Sequence, residues 1–406
     1  MATARRITIV GGGYAGALCA ARLARKTSAA EAEVVLVTDR PYFVERIRLH
    51  EDTAGEPRKR RSFAELLAGT RVQVHLGRVA GADFDRRRLA FEGDERATLA
   101  FDDLVLATGS VASRPHIPGI ERAFACANEP DAFSLRAELD SRPNARVVIV
   151  GAGLTGLELA SELAEKRRGL SITLVTNDEV GPMVAEGGRV HVRAVLATLG
   201  IEVRERTRVA AFEDGAVLLA SGESIACDVT VWAGGFVASS LARDLGLEVD
   251  EIGRAEIDGR LRSHSHPFVR VIGDAARVAS IAPAGAPDVL RMACATAVPQ
   301  GAFCADAIAR SIHGYDEGLF SFAYAGCCVS LGRKNGVIQL SDAWDMPTER
   351  WIGGRSAAFL KEAVCRYPLA SVRLERWGFG YRWLTPPRLA PSAHAGTLTS
   401  GANGPM

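Results

Sequence analysis

The sequence lacks the cysteine patterns that mark metal sites and dithiol centres. Its eight cysteines are scattered along 406 residues, at Cys19, Cys126, Cys227, Cys294, Cys304, Cys327, Cys328 and Cys365. No pair has the C-x-x-C spacing, and no cluster of histidine and cysteine resembles a zinc site. We therefore expect no bound metal.

Long apolar runs and an excess of one charge are also absent from the sequence. Because no run of about 18 or more apolar residues is present, we expect no membrane-spanning segment. An apolar strand follows Met1 almost at once, which predicts no signal peptide and favours a reducing cytoplasmic location. The net charge of +1 argues against nucleic acid as the main partner. A hydrophobic content of 48% supports two or three domains with sizeable cores.

What the sequence does contain is one glycine-rich turn that occurs twice. The first, Gly11-Gly12-Gly13-Tyr14-Ala15-Gly16, follows the apolar run at 7–10, and the second, Gly151-Ala152-Gly153-Leu154-Thr155-Gly156, follows the run at 147–150. Both fit G-x-G-x-x-G between a strand and a helix, which is typical of dinucleotide binding. The first glycine permits a tight turn, the second lets the backbone approach a pyrophosphate, and the third lets the helix pack against the strand. Two such turns predict two dinucleotides with electron transfer between them.

Each turn begins the same succession of elements, which indicates a duplicated domain. The pattern predicts a strand at 6–10, a helix at 14–26 and a strand at 33–37. It predicts them again as a strand at 146–150, a helix at 154–167 and a strand at 171–175. The second unit lies between the apolar segments 104–109 and 269–274, so we expect it to be inserted in the first. The predicted fold class is α/β, with two Rossmann-like dinucleotide-binding domains, one inserted in the other, plus a small α+β C-terminal domain.

The sequence changes character from about residue 314. Residues 321–325 and 337–340 are predicted to be strands, and 354–367 is predicted to be a helix with Ala357, Leu360, Lys361 and Val364 at helical spacing. The last stretch, from about residue 386, is rich in Pro, Gly, Ser and Thr, and we expect it to be disordered.

Four segments, which follow one another along the chain as they do in the family, resemble the two-dinucleotide-binding-domain flavoproteins of the pyridine nucleotide–disulfide reductase superfamily. They are the two glycine turns, the Ala-Thr-Gly at 107–109 and the Ile-Gly-Asp at 272–274, and the similarity covers roughly residues 5–340. Type II NADH:quinone oxidoreductases and flavoproteins of the apoptosis-inducing-factor type are the most similar groups. The resemblance implies that the first turn holds FAD and the second holds NADH or NADPH. It also implies an FAD-binding domain in two parts (1–115 and 244–313), an NAD(P)H-binding domain (116–243), a C-terminal interface domain (314–385) and the disordered tail (386–406).

The resemblance assigns FAD binding to residues of several short segments. These are Gly11, Gly13, Tyr14, Ala15 and Gly16 at the pyrophosphate; Thr38, Asp39 and Arg40 at the adenosine ribose; Val79 at the adenine; and Ala107, Thr108, Gly109, Gly273, Asp274 and Pro299 around the flavin and its ribityl chain. Asp39 is the expected acceptor for the ribose hydroxyls. A shift by one residue to Thr38 stays open, as does a purely structural role for Asp39 in a strand-end turn.

The same resemblance assigns NAD(P)H binding to the inserted unit. The residues are Gly151, Gly153, Leu154, Thr155, Gly156, Asn177 and Gly234. Asn177 matches Asp39 in the duplication, and an asparagine there does not repel the phosphate of NADPH as an acid would. Because Asp178 and Glu179 follow directly, we favour NADH, and the coenzyme choice stays open.

The resemblance gives two candidate catalytic residues, Glu158 near the nicotinamide and Gln300 near the flavin. Glu158 lies where relatives keep a glutamate near the nicotinamide; the alternative is an acid placed early in a helix because the dipole favours it. Residues 291–301 resemble the segment that runs under the isoalloxazine ring, and we expect N–H groups around Pro299 and Gln300 to face the flavin. Many quinone reductases have a glutamine where this sequence has Ala295, which puts a quinone pocket of the usual kind in doubt.

Residues 41–50 lack the cysteine that disulfide reductases of the superfamily carry there, so we expect no dithiol chemistry. The stretch from 41 to 52 is instead expected to pass near the flavin ring. Arg46, Arg48, His50 and Glu51 are candidates to orient a substrate or supply a proton, with Arg48 and His50 preferred. Only His50 has an ordinary pKa suited to proton transfer near neutrality. A structural or surface role for each of the four stays open.

We therefore predict an FAD-dependent NAD(P)H oxidoreductase that passes a hydride to FAD and then two electrons to a quinone-like small molecule. Two alternatives stay open: a tailoring reductase for a soluble aromatic or quinone metabolite, and a redox-sensing flavoprotein with slow turnover. One short helix at 354–367 is a weak anchor, so we expect a cytoplasmic protein. Weak peripheral contact with the inner face of the membrane and a homodimer both stay open.

Overall fold

The computed structural model describes residues 4–280 and 282–386, without the side chains of 94–96. The predicted disordered tail lies outside the described residues from position 387 onward. The described strands, in chain order, are β1 Arg5–Val10, β2 Ala32–Thr38, β3 Tyr42–Phe43, β4 Arg61–Ser62, β5 Gln73–Leu76, β6 Val79–Asp83, β7 Arg88–Phe91, β8 Asp94–Ala100, β9 Asp103–Leu106, β10 Ser110–Ala112, β11 Arg146–Val150, β12 Ser171–Val175, β13 Glu202–Arg204, β14 Val209–Glu213, β15 Ala216–Leu219, β16 Ser224–Ala226, β17 Val229–Trp232, β18 Phe236–Ala238, β19 Ala255–Glu256, β20 Val269–Val271, β21 Ala276–Arg277, β22 Gly326–Ser330, β23 Gly336–Ser341 and β24 Pro347–Gly353.

The α-helices of the same residues range from one turn to six. In chain order they are α1 Tyr14–Lys26, α2 Leu49–Ala54, α3 Phe63–Leu66, α4 Glu129–Ser141, α5 Leu154–Lys166, α6 Glu186–Thr198, α7 Leu241–Asp244, α8 Cys294–Ile312 and α9 Gly354–Glu375. The predicted helices at 14–26 and 154–167, with the strands that flank them, are confirmed to within one residue at each end.

Two parallel sheets organise the chain. The first has the order β20-β9-β1-β2-β5, and the second has the order β13-β12-β11-β17. All neighbours in both sheets pair in parallel, so each pair needs a crossover, which α1 provides between β1 and β2 and α5 provides between β11 and β12. Their central strands are almost wholly buried and apolar, as expected for sheets covered on both faces.

The first sheet draws its strands from both sides of the second sheet in the sequence. Strand β9 precedes the second sheet and β20 follows it, and the short antiparallel pair of β10 and β18 lies at the two crossings between them. Each parallel sheet is accompanied by a three-stranded antiparallel sheet, β6-β7-β8 and β14-β15-β16 respectively.

The C-terminal segment forms the sheet β22-β23-β24, on which α9 packs. The end of α9 reaches the first helix, where Arg22 donates to Asp306 of α8 at 2.7 Å and to Glu375 of α9 at 2.9 Å. Because these three side chains come from three helices, one guanidinium joins α1, α8 and α9.

The structure corrects the prediction for this segment in three places. Residues 321–325 form no strand, because Ala323 N donates to Leu384 O and Tyr324 N to Ala343 O, two separate partners, and the strand begins at Gly326. Strand β24 was not predicted. Helix α9 does not end at 367 but continues through Pro368 to Glu375, since its last turns are held by buried Leu369 and Val372.

Candidate functional site

The two glycine turns have the same geometry. Gly11 has φ +112° and Gly151 has φ +113°, in the region that side chains avoid. A Cβ atom on Gly11 would lie 2.3 Å from Ala107 O, and one on Gly151 would lie 2.6 Å from Ala233 O. The third glycines, Gly16 and Gly156, approach the carbonyl oxygen of the first glycine in the same way. Each helix is therefore packed against its strand as closely as backbone permits.

The middle glycine of each turn faces open space at the start of a helix. A Cβ atom on Gly13 or Gly153 would meet nothing within 4 Å. These residues are the N-caps of α1 and α5, and neither helix start is capped by a side chain. The first N–H groups of a helix then need another partner, and a phosphate suits both their geometry and the positive end of the dipole. Both turns therefore fit the pyrophosphate of a dinucleotide.

Two hydroxyl groups beside the first turn support the same fit. Tyr14 Oη and Thr108 Oγ1 are buried and have no hydrogen-bond partner among the described residues. Tyr14 packs edge-on against Phe43, with ring centroids 5.0 Å apart, and its burial raises the pKa of its phenol. Buried hydroxyl groups are normally satisfied, so these two suit the polar atoms of a ligand such as FAD.

The residues expected at the adenosine end of FAD are partly engaged with one another. Asp39 is half-exposed and pairs with Arg78 at 3.1 Å. Thr38 Oγ1 donates to Arg40 O at 3.2 Å, and Arg40 pairs with Glu129 at 3.2 Å. Val79 is buried at the start of β6. The expected acceptor for the ribose hydroxyls, Asp39, is thus accessible at the end of β2.

Asp274 lies in a hydrogen-bonded group at the expected flavin site. Ser110 Oγ donates to Asp274 Oδ2 at 2.6 Å, and Arg46 Nη2 donates to Ser110 Oγ at 3.3 Å. Gly273 has φ +72°, and its N–H donates to Gln300 Oε1 at 2.7 Å. The amide side chain of Gln300 therefore fixes the loop that carries Asp274.

This geometry corrects the expectation for the backbone around Pro299 and Gln300. Helix α8 begins at Cys294, so that both residues lie in its second turn, where N–H groups are used within the helix. Pro299 has no N–H group at all. At the start of α8, Thr296 N and Ala297 N donate to Ala293 O, which leaves Cys294 N and Ala295 N without a backbone partner among the described residues.

The residues expected at NAD(P)H lie at the ends of β12, β17 and at the start of α5. Asn177 is exposed, and Leu154 and Thr155 are half-buried in the first turn of α5. Glu179, two residues after Asn177, pairs with Arg189 at 3.1 Å and with Arg206 at 2.5 Å. A Cβ atom on Gly234 would lie 2.2 Å from the ring of Trp232.

Glu158 lies in a buried cluster where α5 meets the C-terminal segment. Its Oε1 atom is 2.6 Å from Lys361 Nζ of α9 and accepts a hydrogen bond from Ser330 N of β22 at 3.2 Å. Its Oε2 atom is 3.6 Å from His50 Nδ1. Lys361 Nζ also donates to Cys328 O at 3.2 Å. Helix α5, which begins at the second glycine turn, is thereby connected to β22 and to α9.

Burial and charge act in opposite directions on this cluster. Burial opposes ionisation of Glu158, but the positive charge of Lys361 outweighs it and holds the pKa of Glu158 below its usual value. Burial likewise lowers the pKa of Lys361, but Glu158 outweighs it and raises that pKa. Burial lowers the pKa of His50 despite the neighbouring Glu158 and Glu51, and His50 Nε2 is buried with no hydrogen-bond partner in the described part of the chain. The cluster thus holds a charged pair beside a neutral imidazole.

Arg48 lies beside this cluster in a network of ion pairs. Its guanidinium donates to both carboxylate oxygens of Glu362 at 2.8 Å and to Glu51 at 3.0 Å. Arg333 pairs with the same two acids, at 3.1 and 3.0 Å. The structure therefore places Arg48, Glu51 and His50 near Glu158. The role of these residues in orienting a substrate or supplying a proton stays a prediction.

Residues 5–301 match the family model described as pyridine nucleotide-disulphide oxidoreductase. The chain belongs to this family. Its membership confirms the prediction of a flavin-dependent oxidoreductase with FAD and NAD(P)H as cofactors. An NADH dehydrogenase-like protein of Mycobacterium tuberculosis and a demethylphylloquinone reductase of Synechocystis are each 31% identical, over 67% of this chain and 72% of their own.

Solved structures show the same α/β fold. The structure of NDH2 from Plasmodium falciparum in complex with NADH has a TM-score of 0.74 at 14% identity and covers 94% of this chain and all of its own. The Bacillus anthracis CoADR-RHD structure has a TM-score of 0.71 at 24% identity, and the chain spans 62% of its length. At such identities the likeness concerns the fold alone.

The thiols of this family member are unsuited to disulfide chemistry. All eight cysteines are free, and burial raises the pKa of Cys294 and Cys126 to about 12 and that of Cys365 to about 11. A nucleophilic thiol needs the opposite shift. Within the described ranges, no group of three or more His, Cys, Asp or Glu side chains could hold a metal ion. Among those same residues, no helix has both the length and the apolarity needed to cross a membrane.

Sequence reasoning missed Lys361 and Ser330 as partners of Glu158. A signal for Lys361 was present, because it occupies a position in the apolar pattern of α9 between Ala357 and Val364. A lysine on such a face needs a buried counter-charge. No comparable signal marked Ser330, whose backbone N–H makes the contact.

Proposed function

We propose that this chain is an NAD(P)H dehydrogenase that passes electrons through FAD to a quinone-like small molecule. The observation that carries the proposal is the repeated, uncapped glycine turn at Gly13 and Gly153, which offers two separate cradles for a pyrophosphate. We further propose that the two parallel sheets belong to two Rossmann-like domains, with boundaries at 1–115 and 244–313 for FAD, 116–243 for NAD(P)H and 314–385 for the C-terminal domain.

The first turn and the loop at 273–274 would hold FAD. Gly11, Gly13 and the first N–H groups of α1 bind the pyrophosphate, and Asp39 accepts from the ribose. Asp274 is kept in position by Ser110 and by the Gly273–Gln300 hydrogen bond. When bound, FAD supplies the capacity to accept a hydride from the nicotinamide and to release two electrons to an acceptor.

The second turn would hold NAD(P)H, with Glu158 towards the nicotinamide. The pairing of Glu158 with Lys361 keeps a carboxylate ionised and an ammonium protonated in a largely dry place. Lys361 retains donor capacity, because an ammonium group has three protons and two of its oxygen partners are accounted for. His50 is neutral, and its buried Nε2 atom, which has no hydrogen-bond partner among the residues described, lies in the same cluster.

The acceptor is proposed to be diffusible and quinone-like. A thiol relay is disfavoured by the raised pKa values of the thiols and by the lack of cysteine at 41–50. A relative that is 31% identical is named a demethylphylloquinone reductase, which supports a quinone acceptor. A second candidate, a tailoring reductase for a soluble aromatic or quinone metabolite, is favoured by Ala295 at the position where many quinone reductases have glutamine.

Location and assembly belong to the same proposal. Helix α9 exposes Phe359 by 80%, Val364 by 46% and Tyr367 by 48%, an apolar face that suits weak peripheral contact with a bilayer or a second copy of the chain. We propose a cytoplasmic protein for which this face provides any membrane contact.

The proposal is tested with purified, FAD-loaded protein. We expect anaerobic NADH or NADPH to bleach the flavin absorbance and menadione to restore it with rapid turnover. A persistent long-wavelength charge-transfer band with little turnover would instead support the redox-sensing alternative. A preparation that binds no FAD would overturn the proposal.

A further inference from the structure

One arginine near the start of α8 is held loosely although its side chain is only 20% exposed. The Nη1 atom of Arg291 lies 3.4 Å from Met183 Sδ, and its Nη2 atom lies 3.4 Å from Gly326 O. Its Nε atom is 3.3 Å from Asp345 Oδ2 but makes no hydrogen bond to any of the described residues. The bond to Gly326 O is longer than the usual length of about 2.7–3.2 Å for an N–H···O bond. Among the described residues, these contacts engage two of the five N–H groups of the guanidinium.

The position of Arg291 is nevertheless well defined. Its Cζ atom lies 5.1 Å from the centroid of the Tyr324 ring, a cation–π distance. Its backbone N–H donates to Tyr324 Oη at 3.0 Å. The guanidinium is therefore held in a defined orientation, while its contacts to Met183, Gly326 and Asp345 are 3.3–3.4 Å long.

Arg291 and Lys361 approach the same strand, β22. Lys361 donates to Cys328 O, and Arg291 lies at Gly326 O. Carbonyl groups two residues apart in a strand point to the same side, about 7 Å from each other. Each cation has one acid, Glu158 for Lys361 and Asp345 for Arg291. Two ion pairs thus lie along one edge of β22, beside the first residues of α8.

We propose that Arg291 determines acceptor specificity by binding an anionic oxygen, so that the preferred acceptor is a quinone with an ionised hydroxyl or carboxylate group. This inference rests on the proposed function. Ala295 offers no polar side chain to an acceptor, whereas Arg291, four residues earlier and just before α8 begins, offers a planar fork that suits an oxyanion. Asp345 is the internal competitor, which the anion of the acceptor displaces from the guanidinium.

The test compares two quinones that share one naphthoquinone ring. Menadione carries a methyl group on that ring, and lawsone carries an ionised hydroxyl group. The measured quantity is the ratio of kcat/KM for lawsone to that for menadione, because the variant-to-wild-type change in this ratio cancels differences in quinone reactivity. We expect Arg291→Met to lower the ratio about tenfold or more, the usual loss for a charged hydrogen bond. Arg291→Lys keeps the charge without the planar fork, so its ratio should lie between those of Arg291→Met and the wild type.

A variant of the competing acid should act in the opposite direction. Asp345 has φ +72°, a conformation that asparagine also tolerates, so Asp345→Asn is a conservative change. It removes the charge that competes for Arg291, and we expect the lawsone-to-menadione ratio to rise several-fold. Arg350→Met, an exposed change on β24, is the matched control and should leave the ratio unchanged.

Binding provides a readout that is independent of turnover. Calorimetric titration of the oxidised protein with 1-hydroxy-2-naphthoate measures the affinity for an aromatic anion. We expect the affinity of Asp345→Asn to exceed that of the wild type, and that of the wild type to exceed that of Arg291→Met. Unchanged ratios and affinities in both variants would overturn the inference while leaving the proposed function intact. Failure of the wild type to reduce either quinone would overturn the proposed function, and the titration would still decide the role of Arg291. If Arg291→Met does not fold, Arg291→Lys and Asp345→Asn decide the question.

Discussion

Replacing Lys361 with methionine is expected to lower the free energy of unfolding by about 3–5 kcal/mol, because it leaves the Glu158 carboxylate buried without its partner. The two side chains are only 13% and 9% exposed and their charged atoms are 2.6 Å apart. At an effective dielectric constant of about 20, the attraction is on the order of 6 kcal/mol. Desolvation of both groups offsets most of it, so the intact pair adds little net stability while the broken pair is costly.

A double-mutant cycle separates the pair from its parts. The combination of Glu158→Gln with Lys361→Met removes both charges, and we expect it to recover most of the stability that Lys361→Met loses. Urea unfolding of the FAD-loaded protein, followed by circular dichroism, provides the midpoints and slopes. The exposed pair of Asp83 and Arg86 supplies the control: Arg86→Met removes the ion pair, keeps the hydrogen bond of the backbone N–H at position 86 to Asp83, and should not change the midpoint measurably. A double variant as unstable as Lys361→Met would refute the reasoning.

The pH dependence of stability tests the same prediction independently, because it should have opposite directions in the wild type and in Lys361→Met. In the wild type the pKa of Glu158 is lowered, so its contribution to stability is fully present above the ordinary value of 4.5 and is lost as the pH falls from 4.5 through the lowered pKa. In Lys361→Met, burial is no longer outweighed and raises the pKa of Glu158. That variant should therefore lose stability as the pH rises, and a falling midpoint towards alkaline pH would be its signature.

Three further predictions concern residues around the two turns. Gly153→Ala meets no atom within 4 Å, so we expect an unchanged unfolding midpoint but a raised KM for NAD(P)H, while the equivalent Gly13→Ala should lower the FAD content measured by absorbance. Burial lowers the pKa of His50, so its contribution to stability is lost as the pH falls below about 6.5; His50→Gln should reduce the loss of unfolding midpoint between pH 7 and 5. Gln300→Leu leaves Gly273 N unpaired and should cost about 1–3 kcal/mol in urea unfolding together with weaker FAD retention; Gln300→Glu, which keeps an acceptor, should retain more FAD.

The two glycine turns and their flanking elements could be predicted because their signal is local. A glycine with φ near +110° and a second one in open space are properties of a six-residue motif, so Gly11 and Gly151 could be recognised without knowledge of their partners. The same holds for the strands β1 and β11, whose apolar runs are buried on both faces.

The C-terminal elements could not be predicted, because their structure depends on distant partners. Residues 321–325 have strand-like composition, yet their backbone bonds to Leu384 and Ala343 instead of to a neighbouring strand. Pro368 indicates a helix end, yet α9 continues because its last turn is anchored by Glu375 on Arg22. Lys361 could be placed on a helix face from the sequence, but its counter-charge is 203 positions away and only the tertiary structure identifies it.

The guanidinium of Arg22 has a consequence for the site at the opposite end of its helix. Asp306 and Glu375, like Arg22 itself, lie near the C-terminal ends of their helices, whereas the candidate site is built from the beginnings of α1 and α8 and from the middle of α9. Arg22 is about 12 Å along the helix axis from Tyr14. The ion pairs of Arg22 therefore join the three helices at a distance from the candidate site, and we expect them to fix the spacing of the helices that build it.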